Sequence, residues 1–252
     1  MKRSFLFLLA GAIAGFVLFA ITEPSVPRGF STEQAWAKHT QLLGLAGGCL
    51  LCGLLGLLSG WLQGSRLHTA KGLGVGLVCG FVFGPLSLQF GDAIYRVLGG
   101  EATHILSRGI AWSIFGLLLG LGVAVADAVI LRSASRLWAG LVGGFVGGGI
   151  GGVAFEVVGL LLATSVANVQ GSGEVGGPSR AVGLTCLCGF IGLFVGVAQA
   201  LSVQGRLRLI FGRNEYTEWP LVGARTDIGR SELAQIPVFQ DPSLAPIHAT
   251  IM

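Results

Sequence analysis

Few side chains here have the type and spacing to do chemistry, and the best placed stand near the C-terminal end. Gly229-Arg230 puts a guanidinium where the chain can turn sharply. Such a group is a planar fork of donors matched to phosphate or carboxylate oxygens, and glycine beside it frees the backbone. Ser231, Ser243 and His248 follow closely, so this set suits recognition of an oxyanion more than bond-making. A second set is three carboxylates in apolar surroundings, Glu156, Asp92 and Asp127. An ionised carboxylate near mid-membrane costs roughly 2.5–3.5 kcal/mol. These residues are therefore either a proton or ion site or lie near the ends of their segments. Asp92 has Arg96 one helical turn on, the spacing of an ion pair.

Other patterns carry less. Cys49-Leu-Leu-Cys52 spells CxxC without a second pair or a histidine cluster. All 5 cysteines lie in apolar segments, which implies packing and no disulfide framework. Gly147, Gly149 and Gly152 spell GxGxxG, but no strand precedes them, so a dinucleotide fingerprint is excluded. The sequence offers no nucleophile–base pair, no metal-ligand cluster and no phosphate-cradling loop with lysine. Nor is there a basic stripe with interleaved aromatics. No enzyme activity, cofactor, metal or nucleic-acid partner is expected.

The elements that position these residues follow from composition. The chain has 252 residues, 52% hydrophobic and only 11% charged, with mean hydropathy +0.78. Soluble domains carry about 25% charged residues. Six apolar segments, each near the ~20 residues that cross a bilayer, run over Ser4–Thr22, Thr40–Leu62, Gly72–Phe90, Gly109–Leu131, Trp138–Leu162 and Ala181–Val203. The first is read as an uncleaved span: it is longer than a signal core and no small-x-small cleavage site follows.

Every second loop is basic: Lys2 and Arg3, then Arg66 and Lys71, Arg132 and Arg136, and Arg206, Arg208 and Arg213. The alternate loops mix signs, with Glu23, Arg28, Glu33 and Lys38, then Arg96, Glu101 and Arg108, then Glu174 and Arg180. The positive-inside rule puts both termini in the cytoplasm of a multi-pass inner (plasma) membrane protein. Trp61, Trp112 and Trp138 fall where an aromatic belt is expected.

The spans repeat. Gly76-Leu-Val-Cys-Gly-Phe-Val-Phe-Gly84 matches Gly140-Leu-Val-Gly-Gly-Phe-Val-Gly-Gly148, and at the same offset Asp92 meets Glu156 and Gly56-Leu57 meets Gly120-Leu121. A second echo pairs Ser107-Arg108 with Ser179-Arg180, and Val125-Ala-Asp-Ala128 with Val197-Ala-Gln-Ala200. The unit is a span, a short basic loop and a Gly-rich span. Spans two–three and four–five are full copies, and span six is the first half of a third. Gly140, Gly144, Gly148 and Gly152, with Gly143, Gly147 and Gly151 beside them, make flat faces for close helix contact, within the bundle or in a homo-oligomer.

Beyond residue 204 the composition changes to a small β domain over 205–252. Strands are expected at Leu207–Gly212, Glu218–Val222, up to Arg230 and at Gln235–Phe239, with turn residues between. Thr226-Asp-Ile-Gly-Arg230, the following strand, Asp241 and His248-Ala-Thr-Ile251 together resemble the first half of a forkhead-associated (FHA) domain, a β-sandwich that reads phosphothreonine. The resemblance implies that Arg230, Ser231 and Ser243 contact the phosphopeptide. It implies that Gly229 and a buried His248 shape the loops. Two positions depart from the pattern: Ala245 stands for the family's phosphate-binding serine and Pro246 for the basic residue after it. The match covers only the beginning of such a domain, and a truncated sequence is expected.

The fold expected is thus an all-α membrane bundle of about six Gly-rich spans with an internal repeat, residues 1–204, carrying a partial all-β FHA-like sandwich. Bacterial proteins with Gly-rich spans followed by an FHA domain are similar. The expected role is a signalling adaptor in the lipid bilayer that binds a Thr-phosphorylated protein. Two alternatives stand beside it: an FHA fold that binds protein without phosphate, and an ion or solute transporter with a regulatory tail. Transport requires Glu156 to face a polar cavity; an adaptor requires only a tightly packed bundle.

Overall fold

The computed structural model describes residues 2–27, 32–98, 104–131, 133–134, 136–167, 176–203, 205–210, 216–221, 225–232, 234–238 and 243–251. Arg28, Glu101, Arg132, Glu174, Arg213 and Asp241 lie outside the described residues. Six long helices carry most of the chain: α1 Lys2–Thr22, α2 Glu33–Trp61, α3 Arg66–Leu98, α4 His104–Leu131, α5 Arg136–Ala167 and α6 Gly176–Leu201. All 6 are long and apolar enough to cross a membrane, and the chain is consistent with a multi-pass membrane protein. Several outrun the apolar segments. α2 begins at Glu33 and α3 at Arg66, because a helix that has left the bilayer core can continue with polar residues in its end turns.

The helices form a closed ring in which each packs on its chain neighbours and α1 packs on α6. Half or more of the apolar window is buried in α2, α4 and α6, against a third or less in α1, α3 and α5. The even-numbered helices are therefore the inner ones. Their side chains fill the centre in apolar layers, Leu51, Leu119 and Ile191, then Leu55, Val123 and Val195, all with no exposed surface.

Backbone carbonyl contacts show that the ring is a threefold repeat of one helix pair. A Cβ on Gly80 would meet the Gly48 carbonyl oxygen at 2.2 Å, one on Gly144 the Gly116 oxygen at 2.2 Å, and one on Gly11 the Cys188 oxygen at 2.3 Å. Four residues on, Gly84, Gly148 and Gly15 meet the oxygens of Gly44, Trp112 and Leu184 in the same way. The pairs are α2–α3, α4–α5 and α6–α1, so α1 completes the third copy that the sequence shows only in half. The register also corrects one alignment. Gly48 corresponds to Gly116, so Gly56 corresponds to Ala124 and not to Gly120.

Gly140, Gly144 and Gly148 lie against α4, while Gly143, Gly147 and Gly151 lie against α6. Both glycine rows of α5 are covered from within the chain and leave no such surface for a second copy. Trp112 is not at a lipid-facing rim either. It packs between helices, edge-on to Phe115 at 5.4 Å and tilted to Phe155 at 5.8 Å. Trp61 and Trp138 are exposed, as a belt requires.

After α6 come two small sheets. β1 Gly205–Ile210 and β2 Tyr216–Leu221 form an antiparallel hairpin. β3 Thr226–Gly229 lies between β4 Ile236–Pro237, parallel to it, and β5 Ala249–Ile251, antiparallel. Trp219, Ile236 and Val238 are buried together, with Leu207, Leu221, Ile228 and Leu244 against them, so the two sheets share one small core. This region rests on the bundle end that holds the chain start and the α2–α3 turn. Trp219 Nε1 donates to the Gln63 carbonyl at 3.4 Å, and Gln235 Nε2 to that of Leu131 at 2.8 Å.

Candidate functional site

The backbone around Gly229–Arg230 and that before His248 meet at the C-terminal end of the central strand β3. β3 ends at Gly229, where an added Cβ would sit 2.1 Å from the Pro246 carbonyl oxygen. Only glycine lets the second loop lie this close. The loop is then pinned to the strand end by backbone bonds. The Arg230 N–H donates to Ala245 at 3.1 Å, Ser231 N–H to Pro246 at 3.1 Å and His248 N–H to Ile228 at 2.8 Å. Arg230 and Ser243 are exposed and Ser231 is half-buried. Residues 228–231 and 245–248 are thus held side by side, with the Arg230 side chain exposed next to them.

His248 differs from expectation. Its ring is exposed, and its backbone N–H is what ties the loop to β3. It directly precedes β5, an edge strand. Beneath the surface, Asp227 takes part in a buried network: its N–H donates to Gln235 Oε1 at 2.7 Å and its carboxylate accepts from Thr250 at 2.8 Å. Asp227 and Gln235 were not singled out from sequence, and their alternation within short strands was the only sign of them.

The three intramembrane carboxylates are not brought together. Glu156 pairs with Arg108, whose guanidinium also lies over the Tyr95 ring at 5.7 Å. Asp92 pairs with Arg96 at 2.8 Å and both are exposed. These two belong to the bundle end away from the β region. Asp127 is at the other end, buried, and accepts from Gln199 Nε2.

The threefold register gives these scattered groups an order. Glu156, Glu23 and Asp92 each stand eight residues after Gly148, Gly15 and Gly84. Arg108 and Arg180 each stand four before Trp112 and Leu184. Arg180 grips Glu23 in a bidentate pair, with nitrogen–oxygen distances of 2.6 and 3.0 Å. Two copies thus close their far end with the same Arg–Glu latch. The third has Thr40 at the arginine position, which leaves Asp92 to its own helix. Ser59, Asp127 and Gln199 likewise occupy one position, eleven residues after Gly48, Gly116 and Cys188. All three are buried, and they cap the apolar layers with one polar layer. The Val125–Ala128 echo is the trace of this layer in the sequence; Ser59 has no such trace.

That layer is the floor of a cavity of about 340 Å³, whose roof is the β1–β2 hairpin with Arg206, Glu218 and Trp219. Arg3, Gln63 and Arg136 also line it. On the roof, Glu218 accepts from Arg208 and from Arg206 across the hairpin. The Arg208 hydrogen bond, first, and the two positive charges hold its carboxyl below the usual carboxylate range. The cysteines of the CxxC point apart. Cys52 is buried toward the Leu119 carbonyl, and Cys49 lies toward Leu77.

Comparison with protein-family models, curated proteins and solved structures yields no match.

Proposed function

We propose that this chain is a membrane-anchored interaction protein. Its six-helix bundle holds an FHA-like β domain at the cytoplasmic face, and the Arg230 surface reads a Thr-phosphorylated partner. The observation that carries this reading is the seam between Gly229–Ser231 and Ser243–His248. The exposed Arg230 stands there at the end of β3, and the segment that follows Ser243 is held against it through a contact that admits only glycine. A guanidinium with hydroxyls beside it is the chemistry a phosphate monoester selects. The orientation rests on the basic near-end loops, and the inner membrane of a bacterium is the setting proposed. Ala245 removes one hydroxyl from the family pattern. A missing hydrogen bond to a charged acceptor is worth roughly 1.5–3 kcal/mol, so affinity is expected about tenfold or more below a full site.

The closed apolar layers on the bundle axis and the separation of Glu156 from Asp127 favour this reading over transport. The test is titration of phosphothreonine peptide pools against the whole chain in nanodiscs, with Arg230→Ala beside it. Phosphate-dependent binding that disappears in the variant supports the reader. Binding indifferent to phosphate and to Arg230 leaves an adaptor that has kept its shape without the phosphate chemistry. No binding at all removes the reading.

A further inference from the structure

The cavity between the polar layer and the β1–β2 hairpin is electrostatically incomplete. Three arginines line it, Arg3, Arg136 and Arg206, against two carboxylates, Asp127 and Glu218. Glu218 is committed on the hairpin, where it also serves Arg208. Asp127 is held by Gln199 and has Ser59, Arg136 and Arg3 within electrostatic reach. One carboxylate thus faces two arginines on the floor. Arg136 is only 3% exposed, and its Nε has no hydrogen-bond partner among the described residues. A buried guanidinium with an unused donor is costly. An anion with several acceptor oxygens would supply that partner.

We infer that this cavity binds a phosphate-type oxyanion between Arg3 and Arg136. The volume of about 340 Å³ is at the lower end of small-ligand sites, which suits a phosphate group and not a large cofactor. Arg3 and Arg136 open α1 and α5 in equivalent places, twelve residues before Gly15 and Gly148. Both therefore sit in the first turn of a span, at the depth of lipid headgroups, and each helix start adds backbone donors. Two sources supply this chemistry: inorganic phosphate from solution or the phosphate of an anionic lipid. The site is separate from the Arg230 surface and does not depend on how that surface is read.

The experiment uses the whole chain and follows tryptophan emission, with Trp219→Phe to identify the Trp219 share, and the thermal unfolding midpoint. One arm titrates inorganic phosphate in maltoside detergent. The other, in phosphate-free buffer, compares nanodiscs of zwitterionic phosphatidylcholine with and without anionic phosphatidic acid. The expected result is saturable stabilisation in one arm, which names the source. Arg136→Gln or Arg3→Gln should weaken it at least tenfold, and Asp127→Asn, which removes the repelling charge, should strengthen it. If Arg136→Gln does not fold, Arg3→Gln and Asp127→Asn decide, since their opposite signs are not produced by general destabilisation. No response in either arm, or a response unchanged in both arginine variants, overturns the inference.

Discussion

The threefold register makes a quantitative demand on Gly11, Gly80 and Gly144. Alanine at each would place a methyl group 2.3, 2.2 or 2.2 Å from a backbone carbonyl oxygen of the partner helix. That oxygen must retreat by roughly 1 Å to reach ordinary van der Waals distance. A helix backbone cannot move one carbonyl alone, so the pair must separate. Overpacking of this kind costs about 1–3 kcal/mol. Alanine also gains up to about 1 kcal/mol of helix propensity over glycine, but that gain is common to any helical glycine. Gly74 and Gly159 supply the controls, because a Cβ on either meets nothing within 4 Å. The contact term is therefore the difference between the two classes. The assay is reversible unfolding in mixed micelles, followed by tryptophan fluorescence. Gly11→Ala, Gly80→Ala and Gly144→Ala should each fall about 1–3 kcal/mol below the controls, and by similar amounts. If Gly11→Ala behaves like Gly74→Ala while the other two lose stability, α1 is not the third equivalent of α3 and α5, and the repeat argument fails.

Further expectations concern the β region and the latches. Gly229→Ala should detach the Ser243–His248 loop from β3, at about 1–3 kcal/mol, and abolish peptide binding while the bundle's unfolding midpoint stays put. Glu156→Gln and Glu23→Gln should each cost about 1 kcal/mol or less, because both latches are partly exposed. They should add in the double variant, since they join different helix pairs; a loss of ion flux on Glu156→Gln at unchanged stability would point to transport instead. Glu218 titrates lower when folded than when unfolded, so its contribution is full above about pH 4.3 and is lost as pH falls through the folded value. An acid titration of Trp219 emission should show a step below that pH, and Glu218→Gln should remove it.

The helices were legible because six apolar runs of spanning length leave no other reading. Their arrangement was not. Runs such as Gly116–Val125 are apolar on every side, so no periodicity separates the axis-facing Leu119 and Val123 from lipid-facing neighbours. Ring closure was hidden for a related reason. α1 keeps Gly11 and Gly15 of the glycine pattern, but Phe7 stands where α3 and α5 have Gly76 and Gly140. In the β region the strands expected at Leu207–Gly212 and Glu218–Val222 overlap β1 Gly205–Ile210 and β2 Tyr216–Leu221, each of which begins two residues earlier; Phe211, Gly212 and Val222 lie outside the described residues. The strand expected at Gln235–Phe239 narrows to β4 Ile236–Pro237, with Phe239 outside the described residues, and its pairing with β3 depends on a buried Gln235 that composition does not mark.

Where the copies agree and where they differ separates packing from function. At the central layers the three inner helices carry Leu, Leu and Ile, then Leu, Val and Val. Interchangeable residues at equivalent places have one task, to fill space. The two ends behave otherwise. At the far end, two copies hold Arg–Glu latches, while the third has Thr40 opposite Asp92. There the surface opens into a cavity of about 910 Å³ lined by Thr40, Asp92 and Arg108. At the near end, one position holds Ser59, Asp127 and Gln199, three different buried polar groups, of which Gln199 donates to Asp127. A duplicated bundle that needed only stability would gain by making this layer apolar, as the layers below it are. The polar layer survives beneath a cavity whose arginines outnumber its carboxylates, and beneath the only β region among the described residues. Occupancy of that cavity would change what the β1–β2 hairpin rests on, through Arg206, Glu218 and Trp219. The link between bundle and β domain is therefore a shared cavity more than a linker, since α6 ends at Leu201 and β1 begins at Gly205.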